Sequence, residues 1–136
     1  MGHTGSCLCG AVAYEVSGAL RDVIFCHCNQ CQRSSGNYFA ATAAANDHFK
    51  LTEDRGLKWY KSSDWAARGF CQECGANMFW RRKNADRISI MMGTLDAQDT
   101  GLKATRHLFV ADKKDYYDIL DGAAQFDTYP QELKDG

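Results

Sequence analysis

Apolar and polar positions alternate along residues 11–16, with Val12, Tyr14 and Val16 falling on one side. Period-two alternation marks a strand with one buried face. The same pattern over 87–92 sets Ile88, Ile90 and Met92 on one side. Residues 23–25, 38–42, 49–52, 57–60, 68–70 and 78–80 are short runs of apolar, β-branched or aromatic side chains, which suit a pleated surface. Residues 105–110 complete the series, and Asn46 with Asp47 offers a polar turn ahead of 49–52. Only residues 112–120 predict a helix, and a short one. No repeat or linker interrupts the chain. Many short strands with glycine-bearing turns predict a mainly β domain spanning 1–136 as one unit, with little helix.

Composition narrows the class without naming a function. The 136 residues suffice for one hydrophobic core without covalent staples. A formal net charge of −1 offers no basic footprint, so no nucleic-acid partner is expected. No apolar run nears the roughly 20 residues of a membrane span, and no charged-then-apolar leader opens the chain. The expectation is a soluble cytoplasmic protein. The opening M-G-x-x-x-S fits the loose myristoylation pattern, but Ser6 leads straight into the first cysteines.

The seven cysteines change this picture. They stand in three clusters, C-L-C-G, C-H-C-N-Q-C and C-Q-E-C-G. An odd count leaves a thiol over from any complete disulfide set, and nothing else suggests secretion. Thiolates two or three positions apart can instead converge on one metal ion, and Gly10 and Gly75 suit the tight turns of such knuckles. Four soft ligands close a structural zinc site, whereas three leave a position open for chemistry. Seven divides naturally as four plus three. Cys26, Cys28 and Cys31 would seat one ion, and Cys7, Cys9, Cys71 and Cys74 would share a second. The middle cluster alone would also suit an iron–sulfur cluster or a redox dithiol; the company of the outer pairs favours zinc.

The strings G-S-C-L-C-G-A-V-A-Y-E-V, C-H-C-N-Q-C-Q-R and F-C-Q-E-C-G-A-N-M-F-W resemble the glutathione-dependent formaldehyde-activating enzyme family, which also includes centromere protein V. R-H-L-F-V-A-D-K-K-D-Y-Y-D-I and D-G-A-A-Q-F-D-T-Y-P resemble its C-terminal segment. The resemblance implies a β-tent fold of short antiparallel sheets around a zinc knuckle. It assigns Cys7, Cys9, Cys71 and Cys74 to a structural zinc and Cys26, Cys28 and Cys31 to a catalytic one. It also implies a carbon–sulfur lyase that joins formaldehyde reversibly to glutathione as S-hydroxymethylglutathione. Three departures stand out. Lys114, Asp115 and Tyr116 replace the frequent proline and tryptophan ahead of a tyrosine, Ala123 and Ala124 replace Leu-Pro, and residues 38–45 are alanine-rich. Such small side chains beside an open site point to a reshaped pocket and a different thiol or aldehyde.

Zinc chemistry supplies the rest of the expectation. A thiol in the open position loses its proton, or a bound aldehyde oxygen is polarised, and neither route needs a redox cofactor. His27 is the acid–base candidate, although between Cys26 and Cys28 in an extended chain its side chain points away from the face they use. Support of the metal ligands is its alternative role. His48 and His107 fit structural roles in strands. A glutathione-like substrate is anionic, which makes Arg33 the first candidate carboxylate anchor and Arg68 the second. Asn29 and Gln30 can donate hydrogen bonds within the metal loop, and Trp59, Trp65 and Trp80 belong to the core or to a pocket wall. The competing function is a non-catalytic zinc domain that binds another protein.

Overall fold

The computed structural model describes residues 2–130. Met1 of the myristoylation pattern, and residues 131–136 at the end of the expected domain, lie outside the described residues. The fold is mainly β. β1 (His3–Ser6), β2 (Ala13–Val16) and β5 (Phe49–Glu53) form a three-stranded antiparallel sheet with β2 in the centre. Val12, Tyr14 and Val16 face inward from it, each at most 1% exposed. Tyr14 meets the Phe79 ring edge-on at 5.5 Å between centroids, and burial of a ring of that size contributes about 1.5–3 kcal/mol.

The second sheet has eight strands in the order β11, β10, β3, β4, β9, β8, β7, β6. They are β3 (Val23–Cys26), β4 (Phe39–Ala45), β6 (Leu57–Lys61), β7 (Ala66–Cys71), β8 (Asn77–Arg82), β9 (Arg87–Met91), β10 (Ala104–Leu108) and β11 (Ala124–Gln125). Pairing is antiparallel except where β10 runs parallel to β3 and β11. Register sorts the side chains into two faces. Thr42 pairs with Ile90 and Ile90 with Phe79, all at most 2% exposed, and the last two join Tyr14 in the main core. On the opposite face Ile24 pairs with Ala41, Ala41 with Met91, Ser89 with Trp80, and Trp80 with Arg68. The two-residue period adds Cys26 and Phe39 to that face.

One α-helix stands among the described residues, α1 (Asn29–Ser35), and its polar sequence carries no helical periodicity. Local chemistry holds it instead. The Cys28 sulfur caps the N-terminus by accepting from the Cys31 N–H, and Gly36 closes the C-terminus. Asn77 Nδ2 donates to the Ser34 carbonyl at 2.8 Å and ties the helix to β8. The helix predicted over 112–120 does not form; a single 3₁₀ turn covers Val110–Asp112. The chain beyond it follows tertiary contacts, with Tyr117 drawn onto His27 and the Lys113 ammonium bonded to the Tyr117 carbonyl. β1 and β11 carry neither alternation nor an apolar run, so the pattern gives no signal for them.

Candidate functional site

Two groups of thiols come together. Cys7 and Cys9 sit in the turn between β1 and β2, and Cys71 and Cys74 flank the turn between β7 and β8. Gly10 and Gly75 take φ of 86° and 82°, the left-handed turns that the two knuckles require. The four sulfurs lie within 4.8 Å of one another, with Cys7–Cys9 at 3.8 Å and Cys9–Cys71 at 3.7 Å. Zinc–sulfur bonds of about 2.3 Å in a tetrahedron place sulfurs about 3.8 Å apart, so this donor set fits zinc. Backbone N–H groups of Ala76 and Cys9 hold the Cys74 thiol down at about 6, which favours the thiolate that a metal takes.

The second group is Cys26 at the end of β3, Cys28 at the helix cap and Cys31 in the first turn of α1; their sulfurs also lie within 4.8 Å. These thiols act on one another. The sulfurs of Cys28 and Cys31 hold the Cys26 thiol up, while hydrogen bonds from Cys26 and Cys31 push Cys28 down. Three thiols in such reach, one of them already favouring its anion, form a fitting donor set for one ion. Arg68 on β7, 8% exposed, directs its Nη2 to the Cys31 sulfur at 3.5 Å, and its Nε donates to Gln30 Oε1 at 2.9 Å.

This second group opens into a cavity of about 460 Å³, within the range of small-molecule sites. Its floor is the sheet face set out above, from Ile24 and Ala41 through Met91 and Ser89 to Trp80. Trp65 meets Trp80 edge to face at 5.8 Å on one wall. Cys26, Cys28 and Cys31 all line the cavity, whereas none of the other four cysteines does.

The expected acid–base residue lies elsewhere. His27 is fully buried on the far side of the metal loop from the cavity and is not among the lining residues. Its Nε2 meets His107 Nδ1 at 2.8 Å, His107 Nε2 meets Asp121 Oδ2 at 2.8 Å, and its Nδ1 meets the Tyr117 hydroxyl. With neutral rings the donors are ordered by the carboxylate. Asp121 accepts from His107 Nε2–H, His107 Nδ1 accepts from His27 Nε2–H, and His27 Nδ1 accepts the Tyr117 proton. Burial, then the repulsion that a proton on His27 would meet from the His107 side and from Lys113, hold His27 down at about 4 against the pull of Asp121, so its ring is neutral at pH 7. Gln32 Nε2 donates to the His27 carbonyl at 2.7 Å and to the Asp112 carbonyl at 2.8 Å, which fixes the loop from its backbone side.

Arg33 is exposed and lines a separate, smaller cleft of about 230 Å³ with Lys114 and Tyr116. Arg68 takes the place beside the sulfurs. Asn29 and Gln30 both line the cavity, as do Trp65 and Trp80; Trp59 packs on Phe79 under the Arg81 guanidinium. Sequence reasoning missed Arg21, which lines the cavity from just before β3, and the Tyr117–His27–His107–Asp121 chain. Arg21 offered one signal, an arginine two residues ahead of the apolar run into the cysteines. The chain of rings offered none, because its members are up to 94 residues apart in number, from His27 to Asp121.

Residues 2–112 match the family described as glutathione-dependent formaldehyde-activating enzyme. An uncharacterised lyase of Schizosaccharomyces pombe is 23% identical over 124 residues, covering 91% of this chain and 90% of that protein. A crystal structure of a Rhodobacter sphaeroides protein, a structural genomics target, has a TM-score of 0.61 and 25% identity, covering 75% of this chain and 99% of that one. No helix among the described residues is long and apolar enough to cross a membrane.

Proposed function

The chain belongs to the glutathione-dependent formaldehyde-activating enzyme family, and on that premise we propose that it is a zinc-dependent carbon–sulfur lyase acting on a thiol–aldehyde adduct, S-hydroxymethylglutathione being the leading substrate. One observation carries this reading. Of the two thiol groups, only Cys26, Cys28 and Cys31 line a cavity large enough for a small molecule. Cys7, Cys9, Cys71 and Cys74 then hold a structural zinc, and the three-cysteine centre holds the catalytic one. A zinc ion with three protein ligands supplies Lewis acidity, which favours the thiolate of a bound thiol and polarises a carbonyl oxygen.

The protein's own groups bind and orient. Arg68, held by Gln30, presents a guanidinium beside the sulfurs that suits a substrate carboxylate. Asn29 and Gln30 carry amides at the same mouth. Trp65 and Trp80 wall the site with apolar ring surface. His27 is a positioning residue, because both its ring nitrogens are engaged away from the cavity and it anchors the backbone between two metal ligands.

Exchange NMR with ¹³C-formaldehyde and glutathione tests this reading. The zinc-loaded protein should accelerate exchange between the free aldehyde and the adduct, and Cys28→Ser should lose that acceleration while keeping the fold. An unchanged exchange rate with zinc fully loaded would contradict it.

A further inference from the structure

At the β3–β4 end of the cavity lies a positive charge that the reaction described above does not use. Arg21 is half-buried, and its hydrogen bonds go to two backbone carbonyls, Nε to Asp22 at 3.3 Å and Nη2 to Ala41 at 3.2 Å. Neither acceptor is anionic. Burial, then the neighbouring Arg87, holds the guanidinium down at about 10; Tyr129 opposes that shift and Arg106 adds to it. A charge so placed gains from an anion, and Arg21 faces the cavity where one can enter.

Between Arg21 and Arg68 the floor offers almost nothing polar. β3 and β7 are separated in the sheet by β4, β9 and β8, and the side chains those strands turn to the cavity are Phe39, Ala41, Met91, Ser89 and Trp80. Four of those five are apolar, and Ala41 is small enough to leave room above it. A wholly polar ligand would lose hydration on this floor without recovering hydrogen bonds. The hydroxymethyl group of S-hydroxymethylglutathione is far too small to cover it, and the tripeptide that carries that group is polar along its length.

We propose that the cavity selects an amphipathic anion, a molecule whose apolar body, a phenyl ring or larger, lies on the floor around Ala41, Met91 and Trp80 while its carboxylate is received by Arg21. This rests on the reading that the three-cysteine centre opens into the same cavity. It widens the substrate class from S-hydroxymethylglutathione to adducts bearing an aryl or branched alkyl group, beyond the single carbon of formaldehyde. Carboxylate pairing with a guanidinium and burial of a ring are separable contributions.

Thiol-free probes test the cavity apart from the sulfur chemistry. On the zinc-loaded full chain, quenching of Trp65 and Trp80 fluorescence would follow titration with 3-phenylpropionate, its neutral amide and propionate. The acid should bind at least tenfold more tightly than either of the others. Arg21→Gln should erase the preference for acid over amide and leave amide affinity unchanged; Arg21→Lys, which keeps the charge and checks the fold, should restore part of it. Ala41→Phe should erase the preference for the aryl acid over propionate. If Arg21→Gln keeps the acid preference, with Arg68 or the metal taking the carboxylate, the proposal is overturned. Equal binding of 3-phenylpropionate and propionate overturns it as well. None of these readouts involves a thiol, so failure here leaves the lyase reading standing. Conversely, loss of adduct exchange with probe binding intact removes the lyase reading and leaves the amphipathic site.

Discussion

The Nε2 of His27 lies 2.8 Å from Nδ1 of His107, on a buried face behind the metal loop. His27 separates Cys26 from Cys28, and His107 lies on β10, which runs parallel to the strand that delivers Cys26. The contact therefore couples the spacing of two candidate metal ligands to the sheet through a hydrogen-bonded pair of rings. Asp121 at one end and Tyr117 at the other complete it, and both lie outside the residues 2–112 that match the family.

Replacing His107 by phenylalanine leaves the buried His27 Nε2–H without an acceptor. The expected cost is about 1–3 kcal/mol of stability, measured by urea unfolding of the zinc-loaded protein. His107→Gln retains a side-chain acceptor and should recover part of that loss. Equal stability of His107→Phe and the native chain would dissociate the pair from the fold.

Arg68 and Arg33 were the two candidate carboxylate anchors, and their surroundings differ sharply. Arg68 is buried beside Cys31, and Arg33 is exposed in a separate cleft. Arg68→Ala should lower kcat/KM for S-hydroxymethylglutathione roughly 10- to 100-fold, the scale of one charge-assisted hydrogen bond. Arg33→Ala should change it less than about twofold, as surface substitutions away from such features do. Steady-state kinetics on the two variants decide between them.

If both thiol groups hold zinc as proposed, the two ions should part company under chelation. The four-cysteine group joins the β1–β2 turn to the β7–β8 turn, so a metal held there would be part of the folding free energy. The three-cysteine group sits at a cavity mouth on one short stretch of chain. A mild chelator should remove about one zinc per chain with near-ultraviolet circular dichroism intact, and the second only as the signal collapses. Simultaneous loss of both ions with unfolding would contradict this division.

Tyr14 gives a pH signature of the core. Burial raises its phenol to about 12, opposed by the 2.8 Å hydrogen bond with Thr94 and assisted by Asp96. The folded protein keeps a proton that the unfolded chain gives up near 10, so this stabilisation is complete below about pH 10 and lost towards about pH 12. The slope is at most about 1.4 kcal/mol per pH unit. The stability deficit of Tyr14→Phe should therefore shrink between about pH 10 and about pH 12, measured by urea unfolding.

Strands with alternating side chains were legible in the sequence, as with Val12, Tyr14 and Val16, because burial of one face writes a period of two. The cysteine grouping was legible from spacing, and the structure brings the same seven sulfurs into the same two sets. Helix α1 was not legible, since its order comes from the Cys28 cap, Gly36 and Asn77, none of which makes a periodic pattern. The helix predicted at 112–120 is absent because contacts of Tyr117 with His27 override a weak local preference. The cavity floor was hidden for another reason. Ala41, Met91 and Trp80 come from three strands, and only their register puts them on one face.

Zinc per chain in freshly purified protein, with and without glutathione and alongside Cys26→Ala, tests the account most directly. It predicts close to two zincs in the native chain, one in the variant, and a glutathione-dependent change confined to the weaker site. One tightly held zinc that ignores glutathione would contradict it, leaving Cys26, Cys28 and Cys31 without a catalytic metal and favouring a binding domain instead.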